Sequence, residues 1–223
     1  MSYLFNRGTD SVHDSKRILN RFYRFTYIVS LVPLRFYDIF HGTEYSRAEE
    51  TGDKDGRYEY YPSPVFSFPF LRRYIRKHMQ NGRGHSVLDI GCGKGFVLLF
   101  FSRLCFDTVS GIEYDKRLCR LARTNLNRIP QTVNVYQEDA AVFSMYQDYD
   151  TFYMYNPFDE KILEKCIDKI LLSLDKRPRN LTVFYCNPLY GDVLRKRGFE
   201  EREHFYYKTT VFVFHGKKQT VRP

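Results

Sequence analysis

The sequence predicts an α/β fold: a doubly wound, mostly parallel seven-stranded sheet with an antiparallel C-terminal hairpin, preceded by an N-terminal helical and irregular extension. Three observations carry this reading. From about residue 85 onward, short apolar runs alternate with amphipathic runs of helical spacing, the pattern of a parallel sheet covered on both faces. The first apolar run stops at a glycine-rich turn that opens a helix. The last two runs, between Phe199 and His215, follow each other without a helix between them, as a hairpin does.

Val87 to Ile90 is the first strand, and Phe96 to Leu104 is a helix apolar enough to be largely buried. Thr108 to Glu113 is the second strand. Lys116 to Arg128 is an amphipathic helix with Leu118, Leu121, Ala122 and Leu126 on one face, closed by Pro130. Strands follow at Val133 to Gln137 and Tyr149 to Tyr155. Glu160 to Leu174 is a helix, with Ile162, Cys166, Ile167, Ile170 and Leu174 in register. Leu181 to Cys186 is a strand, and Leu189 to Arg197 holds a short helix. Upstream, the turn-rich Asn81-Gly82-Arg83-Gly84 divides the chain into an extension, 1–82, and an α/β domain, 83–218. Within the extension, residues 14–40 are basic and aromatic with helical spacing in places. Tyr61-Pro62-Ser63-Pro64 is extended because each proline restricts its predecessor, and Phe70 to Met79 is a helix.

A chain of 223 residues with 43% hydrophobic content can build one substantial core. The formal charge of +9 is spread along the sequence and favours anionic partners at long range, so nucleic acid or an acidic membrane surface stays in view. No run is long and apolar enough to predict a membrane span, and the start lacks the apolar run of a signal peptide. Five cysteines stand singly, with no metal-ligand spacing, so no metal is expected. They read as reduced thiols, which places the chain in the cytoplasm. The six histidines show no triad or metal spacing, and Lys94 reads as a solvated loop residue.

Four successive strands end in Asp89, Glu113, Asp139 and Asn156, the side of an open sheet where ligands bind. The glycine loop Gly91-Cys92-Gly93-Lys94-Gly95 fits neither nucleotide motif. Phe96 stands where a dinucleotide fingerprint needs its third glycine, and Gly95 stands where a P-loop needs Ser or Thr. Asp89 would repel a pyrophosphate yet could hold an ammonium group. Glu113 can accept two ribose hydroxyls, and Asp139 can accept an adenine amino group. A ligand with an amine, a ribose and an adenine but no phosphate fits these acids, and S-adenosyl-L-methionine is such a ligand.

Val87-Leu88-Asp89-Ile90-Gly91-Cys92-Gly93-Lys94-Gly95 resembles motif I of the class I S-adenosylmethionine-dependent methyltransferases. Gly111-Ile112-Glu113-Tyr114-Asp115 resembles their second-strand acidic motif, and Glu138-Asp139-Ala140 their adenine-contacting segment. The resemblance implies a cofactor site built from Asp89, Gly91, Cys92, Gly93, Glu113, Tyr114, Asp139, Ala140 and Asn156, with S-adenosyl-L-homocysteine as product. The glycine loop, the upstream Tyr-Pro-Ser-Pro and Asn156-Pro157-Phe158 are more narrowly similar to a group of largely uncharacterised bacterial methyltransferases. There an arginine often follows the last loop glycine, where this chain has Phe96.

Asn156-Pro157-Phe158 also resembles the Asn/Asp-Pro-Pro-aromatic motif of amino-group methyltransferases. The resemblance implies a catalytic element in which the Asn amide oxygen and a proline carbonyl orient the target nitrogen. Phe158 replaces the second proline and Asp159 follows, which weakens the likeness for base amines. Tyr61, Pro62 and Ser63 are expected to form a lid, and residues 1–82 to select the substrate. The expected acceptor is nitrogen on a protein side chain, lysine first, or on a small molecule. Nucleic acid is the alternative acceptor, and a non-catalytic cofactor- or partner-binding module is the alternative of another class.

Overall fold

The computed structural model describes residues 13–49, 56–58, 60–129, 132–205 and 208–216. Seven strands make one sheet: β1 (Ser86–Ile90), β2 (Thr108–Glu113), β3 (Asn134–Gln137), β4 (Thr151–Tyr155), β5 (Leu181–Cys186), β6 (Glu200–Phe205) and β7 (Thr209–Phe214). Their order is β3-β2-β1-β4-β5-β7-β6. The first five pair in parallel and β7 runs antiparallel to both β5 and β6, as the sequence predicts. The chain reverses its winding between β1 and β4, so the switch point lies between Ile90 and its partner Met154.

Strand side chains alternate between two cores because successive Cβ atoms point to opposite faces. Val87 and Tyr153 join one core, while Leu88, Ile90, Phe152 and Met154 join the other. Helix α3 (Phe96–Ser102) lies in the first core, and α5 (Glu160–Lys176) and α6 (Gly191–Lys196) supply the second. Helix α4 (Lys116–Leu126) adds Cys119, Ala122 and Leu126 to the first core. Its N-cap Asp115 accepts from the N–H groups of Arg117 and Leu118 at 2.8 and 2.9 Å. Asp159 caps α5 in the same way, accepting from Ile162 N at 2.9 Å.

The extension is more regular than its composition suggests. Helix α1 (His13–His41) is continuous through Pro33 and seats Leu34 in the first core. Helix α2 (Phe68–His78) starts two residues before the expected Phe70, because Pro69 lies in its first turn, where the missing N–H costs nothing. Phe68, Leu71, Tyr74 and Ile75 of α2 join the same core, which ties the extension to the α/β sheet. A 3-10 turn, Val65–Ser67, connects the Pro62-Ser63-Pro64 segment to α2. No helix among the described residues is long and apolar enough to cross a membrane.

Candidate functional site: a glycine loop, three acids and a strap

The site forms where β1, β2, β3 and β4 end. At the β1 turn, Gly91 N and Cys92 N both donate to Ile112 O at 2.9 Å, folding the loop back across the end of β2. Gly91 and Gly93 have φ of 77° and 52°, a backbone region that side-chain-bearing residues rarely adopt. A Cβ on Gly91 would stand 2.6 Å from the Pro157 side chain, so the loop and the Asn156-Pro157 turn are in direct apposition. A Cβ on Gly93 would run into the Tyr60 ring.

Asp89 is 2% exposed, and its Oδ2 is buried with no hydrogen-bond partner among the described residues. Burial first, and then the nearby Glu113 carboxyl, push the Asp89 pKa well above the usual carboxylate range. Glu113 accepts from Gly93 N and from Asp115 N, each at 2.8 Å, which ties the two loops together. Burial raises its pKa to about 7, against the opposing pull of its backbone donors. Burial likewise pushes the Cys92 thiol up, leaving it a poor nucleophile.

Asp139 accepts from Ala141 N at 2.9 Å through Oδ1 and pairs with Arg57 Nη2 at 2.5 Å through Oδ2. The Arg57 guanidinium also lies over the Tyr114 ring, 4.1 Å from its centroid. Ala140 is buried in the second core. Residues 56–58 run antiparallel to 157–159 as a strap. Arg57 bridges Phe158, Tyr58 N donates to Pro157 O at 3.1 Å, and Asp159 N donates to Gly56 O at 2.7 Å.

Asn156 takes a left-handed backbone at φ 39°, which asparagine tolerates better than most residues. Its Oδ1 accepts from Tyr185 OH at 3.1 Å, an orienting contact that reading the sequence missed. One lone pair of that oxygen and one of Pro157 O are therefore already engaged. Phe158 is 5% exposed, and its ring packs in the second core.

Pro62 and Ser63 are buried and Tyr61 is half-buried. Tyr27 OH donates to Pro62 O at 2.9 Å, fastening this segment to α1. The ring over the glycine loop belongs to the neighbouring Tyr60.

Lys94 corrects an expectation. It is 0% exposed, and its Nζ donates to Glu49 Oε1 at 2.9 Å and to Arg47 O at 3.0 Å. The extension folds over the glycine loop and takes this lysine out of solvent. Arg57, Tyr60, Glu49 and Tyr185 carry no local motif, and only the folded chain brings them to the site.

Residues 87–176 match the family model of a methyltransferase domain. A ribosomal protein L11 methyltransferase from Thermotoga neapolitana is 27% identical over 79 residues, which are 35% of this chain and 28% of that protein. Among solved structures, a proposed RNA methyltransferase from Pyrococcus horikoshii superposes with a TM-score of 0.54 at 17% identity. That match covers 77% of this chain and 91% of the other. Magnesium protoporphyrin IX methyltransferase from Synechocystis PCC 6803, solved with its methyl donor bound, gives 0.50 at 15% identity, covering 66% and 77%. The strand order is that of the Rossmann-like class I methyltransferase fold, and residues 87–176 carry the match to a methyltransferase domain. The residues present fit S-adenosyl-L-methionine as a methyl donor. The unpartnered Asp89 Oδ2 suits an ammonium, and the positive-φ glycines let backbone approach a ligand closely.

Proposed function

We propose that the chain transfers a methyl group to nitrogen on a protein side chain, with a lysine the first acceptor to test. The observation that carries this reading is the apposition of the glycine loop and Asn156-Pro157 across the switch point, Gly91 against Pro157. Donor-holding and acceptor-orienting groups then stand side by side. Asp89 and Glu113 hold the amino-acid and ribose parts of the donor, and Asp139 with the Ala140 backbone holds its adenine. When bound, S-adenosyl-L-methionine supplies an activated methyl group and leaves as S-adenosyl-L-homocysteine.

The chain's own task is to position the acceptor and help remove its proton. The Asn156 amide oxygen, steadied by Tyr185, and Pro157 O accept hydrogen bonds from the acceptor nitrogen and point its lone pair at the methyl carbon. Phe158 fixes this turn from below through its buried ring. The Tyr61-Pro62-Ser63 segment serves as the lid, and residues 1–82 select the substrate. The ribosomal-protein methyltransferase among the similar proteins supports a protein acceptor, and the glycine loop with Asn156-Pro157-Phe158 supports placement in the narrower bacterial group.

The test is calorimetric titration of S-adenosylmethionine into wild type, Asp89→Ala and Asn156→Ala, with NAD as control, followed by methyl-transfer assays on protein and RNA fractions. Asp89→Ala should weaken donor binding at least tenfold. Asn156→Ala should keep the affinity and lose about a hundredfold in rate, within the range one positioned group contributes. No donor binding, or a preference for NAD, would overturn the reading. An Asn156→Ala chain with undiminished turnover would remove the acceptor role, and methylation of RNA alone would replace the protein acceptor with nucleic acid.

A further inference from the structure

Helix α1 turns an apolar face outward as well as inward. Tyr27, Ser30, Leu34 and Asp38 are buried against the body of the molecule, whereas Phe25, Ile28, Val32, Phe36, Ile39 and Phe40 are exposed. The exposed set recurs at three- and four-residue intervals, so it forms one stripe along the helix. Phe36 is 58% and Phe40 80% exposed, far more than isolated surface apolar residues need. Arg35 is exposed at the flank of the stripe.

Beside α1, the 3-10 turn Val65–Ser67 packs against the helix and lines a cavity of about 700 Å³. Phe66, Phe68 and Phe100 give this cavity an apolar floor, and Arg72, Arg73 and Arg76 of α2 supply its basic wall. Helix α1, which bears the stripe, and helix α2, which bears the cationic wall, thus pack on the same core and meet at the same 3-10 turn.

We propose that these two helices dock on an anionic lipid surface, with the α1 stripe entering the headgroup–acyl boundary and the α2 arginines meeting lipid phosphates. Charge complementarity selects this occupant. A chain of net charge +9, with Arg35 at the flank of the stripe and the α2 arginines across the 3-10 turn from α1, is attracted to anionic headgroups. Two copies facing each other through the same stripe would bring like charges together. Nucleic acid would meet the arginines but leave the aliphatic Ile28, Val32 and Ile39 without an apolar partner. The helix is too polar to span a bilayer, so it lies in the interface plane.

Flotation of the full chain with vesicles tests this, comparing pure phosphatidylcholine with phosphatidylcholine containing about one-third phosphatidylglycerol, at ~0.1 M and ~1 M salt. Phe36→Glu/Ile39→Glu and Arg72→Gln/Arg76→Gln are measured alongside, with circular dichroism and S-adenosylmethionine affinity reporting that the fold is intact. Wild type should float with the anionic vesicles at low salt and not with neutral ones, and each double variant should lose binding at least tenfold with an unchanged fold. The proposal is overturned if wild type binds neither vesicle, if Phe36→Glu/Ile39→Glu binds as wild type does, or if binding ignores salt and the α2 arginines. A concentration-dependent dimer that Phe36→Glu/Ile39→Glu dissociates, without vesicle binding, would assign the stripe to a second copy instead. None of these outcomes depends on the methyl acceptor.

Discussion

Glu113 meets opposing demands. In the ribose-binding role proposed for it, the ionised form is the better acceptor for both hydroxyls, yet burial raises its pKa to about 7. A carboxyl whose folded pKa lies above its unfolded value adds stability below about pH 4.5 and loses that contribution as pH rises through about 7. Donor affinity runs the other way, because the acceptor form appears as pH rises through the same range. We expect the dissociation constant for S-adenosylmethionine to fall about tenfold between pH 5.5 and 7.5, measured by calorimetry. Glu113→Gln should weaken binding about tenfold at neutral pH. It should also move the midpoint of the remaining pH dependence downward, because the charge that helps raise the Asp89 pKa is gone. An unshifted midpoint would mean that the two carboxyls do not share the site.

The elements that make the site come from opposite ends of the legible range. Asp89 and Glu113 could be read from the sequence because β1 and β2, buried along nearly their whole length, leave short apolar runs with an acid at or next to the last residue. The α1 helix was harder to read. Its outward face is nearly as apolar as its inward one, so the polar and apolar periodicity that marks a surface helix is blurred, and Pro33 further suggests a break. Lys94 was read as solvated because its partner, Glu49, lies 45 residues earlier in a polar stretch without a local pattern. That ion pair clamps residues 47–49 onto the glycine loop. Glu49 also meets Arg117 at 2.9 Å, and its pKa is lowered first by the Lys94 hydrogen bond. Removing one partner of a buried pair leaves the other charge uncompensated, at a cost of about 3 kcal/mol. Lys94→Met should therefore lower Tm by about 6–12 °C for a chain of this length. Exposed Arg195→Met, on the surface cluster with Asp192 and Glu201, should change it by no more than about 2 °C. Equal shifts in a thermal melt would show that the clamp is no more than a surface ion pair.

At the scale of the whole molecule, the strap at 56–58 joins the extension to the site, and it does so where the adenine end of the donor is proposed to sit. Arg57 takes Asp139 Oδ2 and the face of Tyr114, the carboxylate and the ring that the adenine end of the donor is expected to meet. The contact joins residues 82 apart, which is why no motif announces it. A guanidinium 4.1 Å from the Tyr114 centroid leaves no room for a second ring between them, so a donor whose adenine takes that face of Tyr114 would have to displace Arg57. The ion pair and the cation–π contact are each worth about 0.5–1 kcal/mol when partly exposed. Arg57→Ala should accordingly tighten S-adenosylmethionine binding about tenfold at constant pH. Competition also predicts that the donor loosens the strap while it stabilises the rest of the chain. At about a hundredfold excess over Kd, a ligand that binds only the folded state adds about 2.7 kcal/mol and raises Tm. The Tyr58 amide, bonded to Pro157 O, should nevertheless exchange with deuterium faster in the donor's presence than in its absence. Slower exchange at Tyr58, together with weaker donor binding by Arg57→Ala, would make the strap a wall of the donor site rather than its competitor.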